Sequence, residues 1–180
     1  MIKTLTSVNL YFQDESRFGL FTKNGRMLTA KGVKPLCTFQ QVFQSTYLFG
    51  AFSPIDGNNL MMEFPSCNSS NFQIFLDEFS NIRPNELKIM VLDNGAFHKT
   101  KGLIIPNNIS LIFLPPYSPE LNPAEKIWEK FKRDFTNKIF KNMELLKDFV
   151  YNQAKNLTIE EVISICSYSY IFTDNFWTNI

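Results

Sequence analysis

A proline-rich segment, LPPYSPELNPAE at positions 114–125, constrains the fold more than any other part of this chain. It follows an apolar run, residues 109–114, that has the length and composition of a buried β-strand. Pro115 and Pro116 end that strand, because proline has no backbone N–H to donate to a sheet. Further on, Asn122-Pro123 is typical of a helix start, and apolar residues then recur at four-residue spacing. The segment therefore predicts a strand, an irregular loop and an amphipathic helix.

A second acidic position follows another apolar run. Residues 88–92 are typical of a short strand buried on both faces of a sheet, and Asp93 comes directly after them. Ligand sites in α/β sheets favour the carboxyl ends of strands, which makes Asp93 a candidate site residue. Asp93-Asn94-Gly95 is also typical of a simple turn, so the motif by itself leaves both interpretations open.

The N-terminal part predicts antiparallel hairpins followed by a helix. Residues 4–13 alternate as a strand, with Asp14 at its end, and residues 19–22, 46–52 and 60–64 are further predicted strands. After Pro65 the apolar spacing becomes helical, with Asn68-Ser69-Ser70 as possible caps. Residues 142–170 predict one or two further helices that pack on the rest of the chain.

Composition limits both the architecture and the chemistry. With 180 residues and 44% apolar content, we expect a single domain over 1–180. No run of about 18 apolar residues is present to span a membrane, and we expect a cytoplasmic protein. The chain has one histidine, His98, and three widely spaced cysteines, which excludes a zinc site built from several imidazoles or from Cys-x-x-Cys pairs. Metal chemistry would have to use carboxylates.

The net charge of +1 is low for a DNA-binding protein, but the charges are unevenly distributed. No acidic residue occurs between positions 17 and 55, and a candidate phosphate-binding surface is formed there by Arg17, Lys23, Arg26, Lys31 and Lys34. A second basic group lies on or beside the helix that follows Glu125: Lys126, Lys130, Lys132, Arg133, Lys138 and Lys141. Interspersed acids leave two interpretations of this second group, a DNA-binding surface or an ordinary solvated helix face.

Three motifs together resemble the catalytic core of Tc/mariner-like DDE transposases, and more narrowly their bacterial insertion-sequence branch. YFQDESRFG at 11–19 is similar to the family's first strand and first acid, VLDNG at 91–95 to the second, and the proline-rich segment to the third. The resemblance covers roughly residues 5–140. It implies a ribonuclease-H-like α/β fold with a mixed five-stranded sheet flanked by helices.

By this resemblance Asp14, Asp93 and Glu125 are the catalytic residues and the ligands of two Mg²⁺ ions, for which Mn²⁺ can substitute. Asp14 would bridge the ions. The resemblance implies cleavage of DNA at transposon ends and attack of the freed 3′-hydroxyl on target DNA. Hard oxygen ligands suit these ions, and paired ions serve phosphodiester chemistry.

Several of these residues have a second interpretation. Glu125 also has the position of a capping-box glutamate, with Asn122 as the N-cap. Asn94 is expected either to orient a metal-bound water or to serve the turn. His98 and Lys99 resemble the family's Asp-Asn-x-x-x-His-Lys run and are expected to contact DNA, although His98 is equally suited to capping or packing. Glu15 is expected to be a bystander, since adjacent residues of a strand point to opposite faces.

The chain also departs from the family. Only 31 residues lie between Asp93 and Glu125, fewer than in the eukaryotic members, which predicts a clipped helix between the two strands. Thirteen residues precede Asp14, so we expect the family's N-terminal helix-turn-helix region to be absent. A split reading frame, a truncated element or an engineered fragment would each account for this. A separate N-terminal DNA-binding polypeptide then becomes a possible partner, and we expect no selective binding of transposon ends by this chain.

We also have expectations for the oligomeric state, the substrate and the cellular location. The resemblance implies a homodimer that acts on DNA in the bacterial cytoplasm, associated with the nucleoid. Two alternatives to a transposase stay open at this point: a non-catalytic remnant that binds DNA or a partner, and a ribonuclease-H-like nuclease without strand transfer.

Overall fold

The computed structural model describes residues 5–25 and 28–173. The strands are β1 (Ser7–Gly19), β2 (Ser45–Phe52), β3 (Asn59–Phe64), β4 (Glu86–Leu92) and β5 (Ile109–Phe113). The α-helices are α1 (Ser69–Asn81), α2 (Ala124–Phe135), α3 (Met143–Lys155) and α4 (Ile159–Cys166). Short 3₁₀ turns occupy Ala96–Lys99, Pro119–Leu121 and Ser169–Phe172.

The five strands form one mixed sheet in the order β3-β2-β1-β4-β5. β1 pairs antiparallel with β2 and parallel with β4, β2 pairs antiparallel with β3, and β4 pairs parallel with β5. Helices flank this sheet, so the predicted ribonuclease-H-like fold is confirmed. Among the described residues, no helix is long and apolar enough to cross a membrane.

Each face of the sheet carries its own hydrophobic core. Alternation along β1 sends Tyr11 to the core under α1, and Leu10 and Phe12 to the core under α2, α3 and α4. Trp128 packs edge-on against Phe52 in this second core, with ring centroids 5.4 Å apart. Burial of each such aromatic side chain stabilises the fold by roughly 1.5–3 kcal/mol. Phe131 and Phe135, the other aromatic residues of α2, are buried in the same core.

Side-chain caps fix where three of the helices begin. Asn68 precedes α1 and accepts a hydrogen bond from the backbone of Asn71 at 2.9 Å, as the sequence predicts. Asn142 caps α3 in the same way. Thr158 and Glu161 form a reciprocal capping box at the start of α4. The region predicted as one or two helices therefore contains two.

Two strand predictions for the N-terminal part are wrong. β1 extends to Gly19, which pairs with Ser45, because β2 provides partners along the whole second half of β1. Asp14 therefore lies within β1 and not at its end. The predicted strand at 19–22 does not form, and among the described residues 20–44 no regular element occurs. The clipped connection between β4 and β5 is confirmed, since it holds only the 3₁₀ turn Ala96–Lys99.

Candidate active site

Parallel pairing of β1 with β4 brings the first two acids to the same level of the sheet. The register aligns Phe12 with Val91, and Asp14 and Asp93 each follow two residues later. Both acids line a cavity of about 610 Å³, and Glu125 lines the same cavity from the start of α2. The structure thus brings together three residues that are widely separated in the sequence.

Asn122 controls the approach of Glu125 to the sheet. Its side-chain amide donates to the main-chain oxygen of Gln13 at 2.9 Å, and its Oδ1 accepts from the backbone of Ala124 at 3.2 Å. The backbone N–H of Glu125 donates to the main-chain oxygen of Asn122 at 3.1 Å. A capping-box bond from the Glu125 carboxylate is not among the hydrogen bonds of the described residues. Asn122 therefore holds the helix start, and the Glu125 carboxylate remains at the cavity.

Asp93 is held on one side only. Its Oδ1 accepts from the backbone of Gly95 at 2.8 Å and lies 3.0 Å from His98 Nδ1. Within the described ranges, no donor contacts Oδ2. The hydrogen bond from His98 lowers the pKa of Asp93, outweighing the opposing effect of burial, and the Gly95 N–H lowers it further. Asp93 is thus an ionised carboxylate with one oxygen restrained and the other open to a ligand.

His98 lies beneath the site, between two carboxylates. Its side chain is 1% exposed, and Nε2 lies 3.0 Å from Oε1 of Glu15. Nδ1 is 3.4 Å from the main-chain oxygen of Asp93 and 3.0 Å from its Oδ1, and the shorter contact is also the charged one. Burial lowers the pKa of His98, but hydrogen bonds to Asp93 and Glu15 outweigh it and raise the pKa to about 9. The ring is therefore a cation paired with two acids.

Negative charge accumulates around Asp14. Burial raises its pKa, and the charges of Glu15, Glu125 and Asp93 add to this, bringing it to about 8. The pKa of Glu125 is also raised, first by burial and then by Glu129. A bound cation would relieve this repulsion, and carboxylate oxygens are the donors that Mg²⁺ prefers. As placed, however, no three His, Cys, Asp or Glu side chains of the described residues form a ready-made metal cluster.

Asn94 and Lys99 complete the mouth of the cavity. Asn94 donates from its side-chain amide to the main-chain oxygen of Leu114, which ties the ends of β4 and β5 together. Lys99 donates to Oδ1 of Asn94, and its ammonium lies 4.8 Å from the ring centroid of Phe113. The amide of Asn94 thus serves the strand ends and not a turn alone.

The basic residues fall into three settings. Arg17, Lys23, Lys31 and Lys34 are exposed and do not line the 610 Å³ cavity, and Arg26 lies outside the described residues. In the second basic group, Lys126 pairs with Glu129 and Lys130 with Glu161, as on a solvated helix face. Lys132 differs from both, since it lines a smaller cavity with Asp14 and Glu125. Burial and the charge of Lys23 lower its pKa, while both acids oppose this.

The sequence does not predict the contact of Glu15 with the site, nor does it distinguish Lys132 from the other basic residues of its helix. Glu15 pairs with a histidine 83 positions away in the sequence, a separation that no local pattern can reveal. Lys132 follows Glu125 by seven residues, two turns of α2, so helical spacing does place both on one face.

Comparisons with known proteins agree with this geometry. The family model described as DDE superfamily endonuclease matches residues 9–147. Uncharacterized protein y4pE/y4sA of Sinorhizobium fredii (strain NBRC 101917 / NGR234) is 39% identical over 101 residues, which cover 54% of this chain and 74% of that protein.

Two solved structures share the fold. The Mos1 transposase paired-end complex with left transposon end has a TM-score of 0.67 at 15% identity, covering 88% of this chain and 51% of that one. The Mos1 mariner paired end complex with Mn also has a TM-score of 0.67 at 15% identity, covering 87% and 51%. The chain thus spans about half the length of these transposase chains. By its family match and in agreement with the Tc/mariner-like resemblance of its motifs, this chain belongs to the DDE superfamily endonucleases.

Proposed function

We propose that this transposase catalytic domain cleaves DNA strands at transposon ends and transfers them into target DNA. One observation carries the proposal: Asp14, Asp93 and Glu125, contributed by β1, by the residue after β4 and by α2, line a single cavity. Three acids from separate elements around one cavity are the arrangement that metal-dependent phosphodiester chemistry needs.

Asp14, Asp93 and Glu125 would hold two Mg²⁺ ions, for which Mn²⁺ could substitute. Bound ions would supply an activated water and stabilise charge on the attacking and leaving oxygens. The donor chemistry fits: the pKa of Asp14 is raised first by burial and then by nearby carboxylates, whose negative charge a cation would balance. Because no ready-made cluster exists among the described residues, binding must draw the carboxylates closer together.

The remaining residues act on DNA and on the acids. Lys99, which lines the mouth of the cavity, and Lys132, which lines a smaller cavity with Asp14 and Glu125, would contact phosphates next to the scissile bond. Arg17, Lys23, Lys31 and Lys34, with Arg26, would bind phosphates further along the duplex. Asn94 and Asn122 hold the elements that present Asp93 and Glu125. His98 is buried and therefore acts on Asp93 and not on DNA.

We also propose two protein partners, a second copy of this chain and a DNA-binding region or polypeptide. Residues 28–43 expose large apolar side chains, among them Leu28, Leu36 and Phe43, at 104%, 96% and 74% exposure. Such a surface suits contact with a second copy of the chain, and we propose a homodimer on DNA. Sequence-selective binding of transposon ends is assigned to a separate N-terminal DNA-binding region or polypeptide. The single domain would then act at the bacterial nucleoid.

A strand-transfer assay tests the function. The chain is incubated with Mn²⁺, a supercoiled plasmid and a labelled duplex that ends in a free 3′-hydroxyl. Covalent joining of the label to the plasmid supports the proposal. Nicking of the plasmid without joining would indicate a nuclease. DNA binding without nicking or joining would indicate a non-catalytic remnant. Asp93→Asn should abolish both joining and nicking. Asp77→Asn is the matched control, because Asp77 is exposed on α1 and does not line the cavity.

A further inference from the structure

Glu15 is next to Asp14 in β1 but lies on the other face of the sheet, where α1 packs. Its side chain is only 9% exposed. Oε1 accepts from the side-chain amide of Gln13 at 2.7 Å and lies 3.0 Å from Nε2 of His98. A carboxylate this deeply buried is costly unless it is paired, and the His98 ring is the group that pairs with it.

His98 transmits this contact to the active site. Each ring nitrogen lies 3.0 Å from a carboxylate oxygen, Nε2 from Glu15 and Nδ1 from Asp93. A carboxylate oxygen accepts hydrogen bonds, and each ring nitrogen faces one such oxygen. The ring is confined by Phe72 at 4.5 Å and Phe97 at 4.0 Å between centroids. It therefore cannot turn without losing one of these two contacts.

The position of His98 restrains the carboxylate of Asp93. Its Oδ1 is held by His98 and by the Gly95 N–H, and a Cβ added at Gly95 would lie only 3.0 Å from that oxygen. The ion pair with His98 and the hydrogen bond from Gly95 restrain the same oxygen, although 60% of the side chain is exposed. Without them an exposed aspartate at a strand end would sample several rotamers.

We infer that Glu15 is a positioning residue: through the buried ring of His98 it fixes the Asp93 carboxylate in the orientation that accepts a divalent cation. This inference rests on the function proposed above. Carboxylate–histidine pairs commonly orient metal ligands from outside the coordination shell, and their loss costs about 10- to 100-fold in metal affinity. In this chain the histidine orients an aspartate ligand and is not itself a ligand.

The first test does not need metal. Because His98 is the only histidine, ¹⁵N-histidine labelling gives the NMR signals of one ring. We expect two hydrogen-bonded imidazole N–H signals in the wild type and a shifted Nδ1–H signal in Glu15→Gln. Glu86→Gln is the matched control, since Glu86 is also a buried, hydrogen-bonded glutamate but begins β4 at the end opposite Asp93. An Nδ1–H signal that Glu15→Gln leaves unchanged would overturn the inference.

The second test measures Mn²⁺ affinity by electron paramagnetic resonance in the presence of a short DNA duplex. Glu15→Gln and His98→Gln should each weaken binding about 10-fold or more, and Glu86→Gln should bind as the wild type does. The double variant should bind Mn²⁺ no more weakly than the weaker-binding single variant, because both residues act through the same contact between His98 and Asp93. If the two fold-losses of Mn²⁺ affinity multiply in the double variant, Glu15 acts through its charge alone and not through His98, contrary to the inference.

These outcomes separate the inference from the function it rests on. A wild type that binds no Mn²⁺ would refute the proposed function, and the positioning role with it. Wild-type binding that both single variants retain would overturn the positioning role only. Since glutamine keeps the volume of glutamate, unfolding of Glu15→Gln is not expected; thermal melting beside Glu86→Gln checks that both chains remain folded.

Discussion

The side-chain amide of Asn122 donates a 2.9 Å hydrogen bond to the main-chain oxygen of Gln13, joining points 109 residues apart in the sequence. Gln13 immediately precedes Asp14 in β1, and Asn122 lies three residues before Glu125. Asn122 is 4% exposed, so water does not compete for this bond. One buried side chain thereby sets the spacing between the first and third acids of the site.

Replacing Asn122 with aspartate should disturb both stability and the site. The variant loses the donor and turns a carboxylate toward the Gln13 oxygen, which should cost roughly 1–3 kcal/mol of unfolding free energy. Urea unfolding measures this cost, and Mn²⁺-dependent nicking measures the effect on the site. Asn107→Asp, at an exposed turn, is the control. A variant as stable and as active as this control would show that Asn122 does not set the spacing.

Asp14→Asn should separate function from stability. The ionised Asp14 carboxylate is disfavoured by burial and by the charges of Glu15, Glu125 and Asp93, so its removal should leave the metal-free protein at least as stable as the wild type. Metal-dependent cleavage should nevertheless be lost. Thermal melting without metal and a nicking assay give the two readings. Marked destabilisation together with retained nicking would contradict both the electrostatic argument and the assigned role.

How far the sequence predicts this site depends on how local each contact is. Asp93 and Glu125 are predicted correctly as a strand end and a helix start, because the apolar run and the prolines that fix them are adjacent in sequence. Asp14 is misplaced to a strand end, because the length of β1 depends on pairing with β2 across a long irregular segment. The contact between Glu15 and His98 depends on pairing between β1 and β4, which alternation within β1 does not specify.

The predicted strand at 19–22 fails for a related reason. Its apolar residues satisfy the local pattern, but a strand needs a partner for its backbone groups. Leu20 and Thr22 instead donate to the main-chain oxygens of Gln44 and Gln40 as isolated contacts. Phe21 pairs edge-on with Phe39 outside both cores, with centroids 5.3 Å apart. Apolar composition alone could not distinguish this arrangement from a strand.

Gly50 should tolerate no side chain. It pairs with Asp14 across β1 and β2, and a Cβ there would lie 2.5 Å from the ring of Phe52 and 2.8 Å from that of Trp128. Gly50→Ala should therefore cost roughly 1–3 kcal/mol of unfolding free energy through overpacking. Gly102→Ala is the matched control, because nothing lies within 4 Å of its added Cβ. Equal chemical denaturation midpoints for the two variants would refute the expected clash.

Lys132 should contribute to DNA binding near the acids. It lines a cavity with Asp14 and Glu125, where the phosphate of a substrate would bring further negative charge. Lys132→Ala should weaken binding of a short duplex and reduce the salt dependence of the binding constant by about one unit of logarithmic slope. Fluorescence anisotropy at several salt concentrations measures both. Lys155→Ala, at the exposed end of α3, is the control, and an equal slope in both variants would exclude the contact.

Asp56 should make the fold sensitive to acid at a place remote from the proposed metal site. Burial raises its pKa, but the neighbouring polar side chain of Asn9 and hydrogen bonds from the backbone of Asn58 and from Arg83 prevail and lower it to about 2. The ion pair with Arg83, at 2.9 Å, links the β2–β3 turn to the loop before β4. A carboxyl group with a depressed folded pKa stabilises the protein fully above its unfolded pKa of about 4.

That stabilisation is lost as the pH falls through about 2, where the folded carboxyl takes up its proton. The difference in unfolding free energy between the wild type and Asp56→Asn should therefore be largest at about pH 5 and shrink toward about pH 2. Urea unfolding across this range measures it, and Asp148→Asn, on the exposed face of α3, accounts for the general effect of removing one negative charge. A difference that stays constant with pH would mean that Asp56 stabilises the turn as a hydrogen-bond acceptor irrespective of its charge.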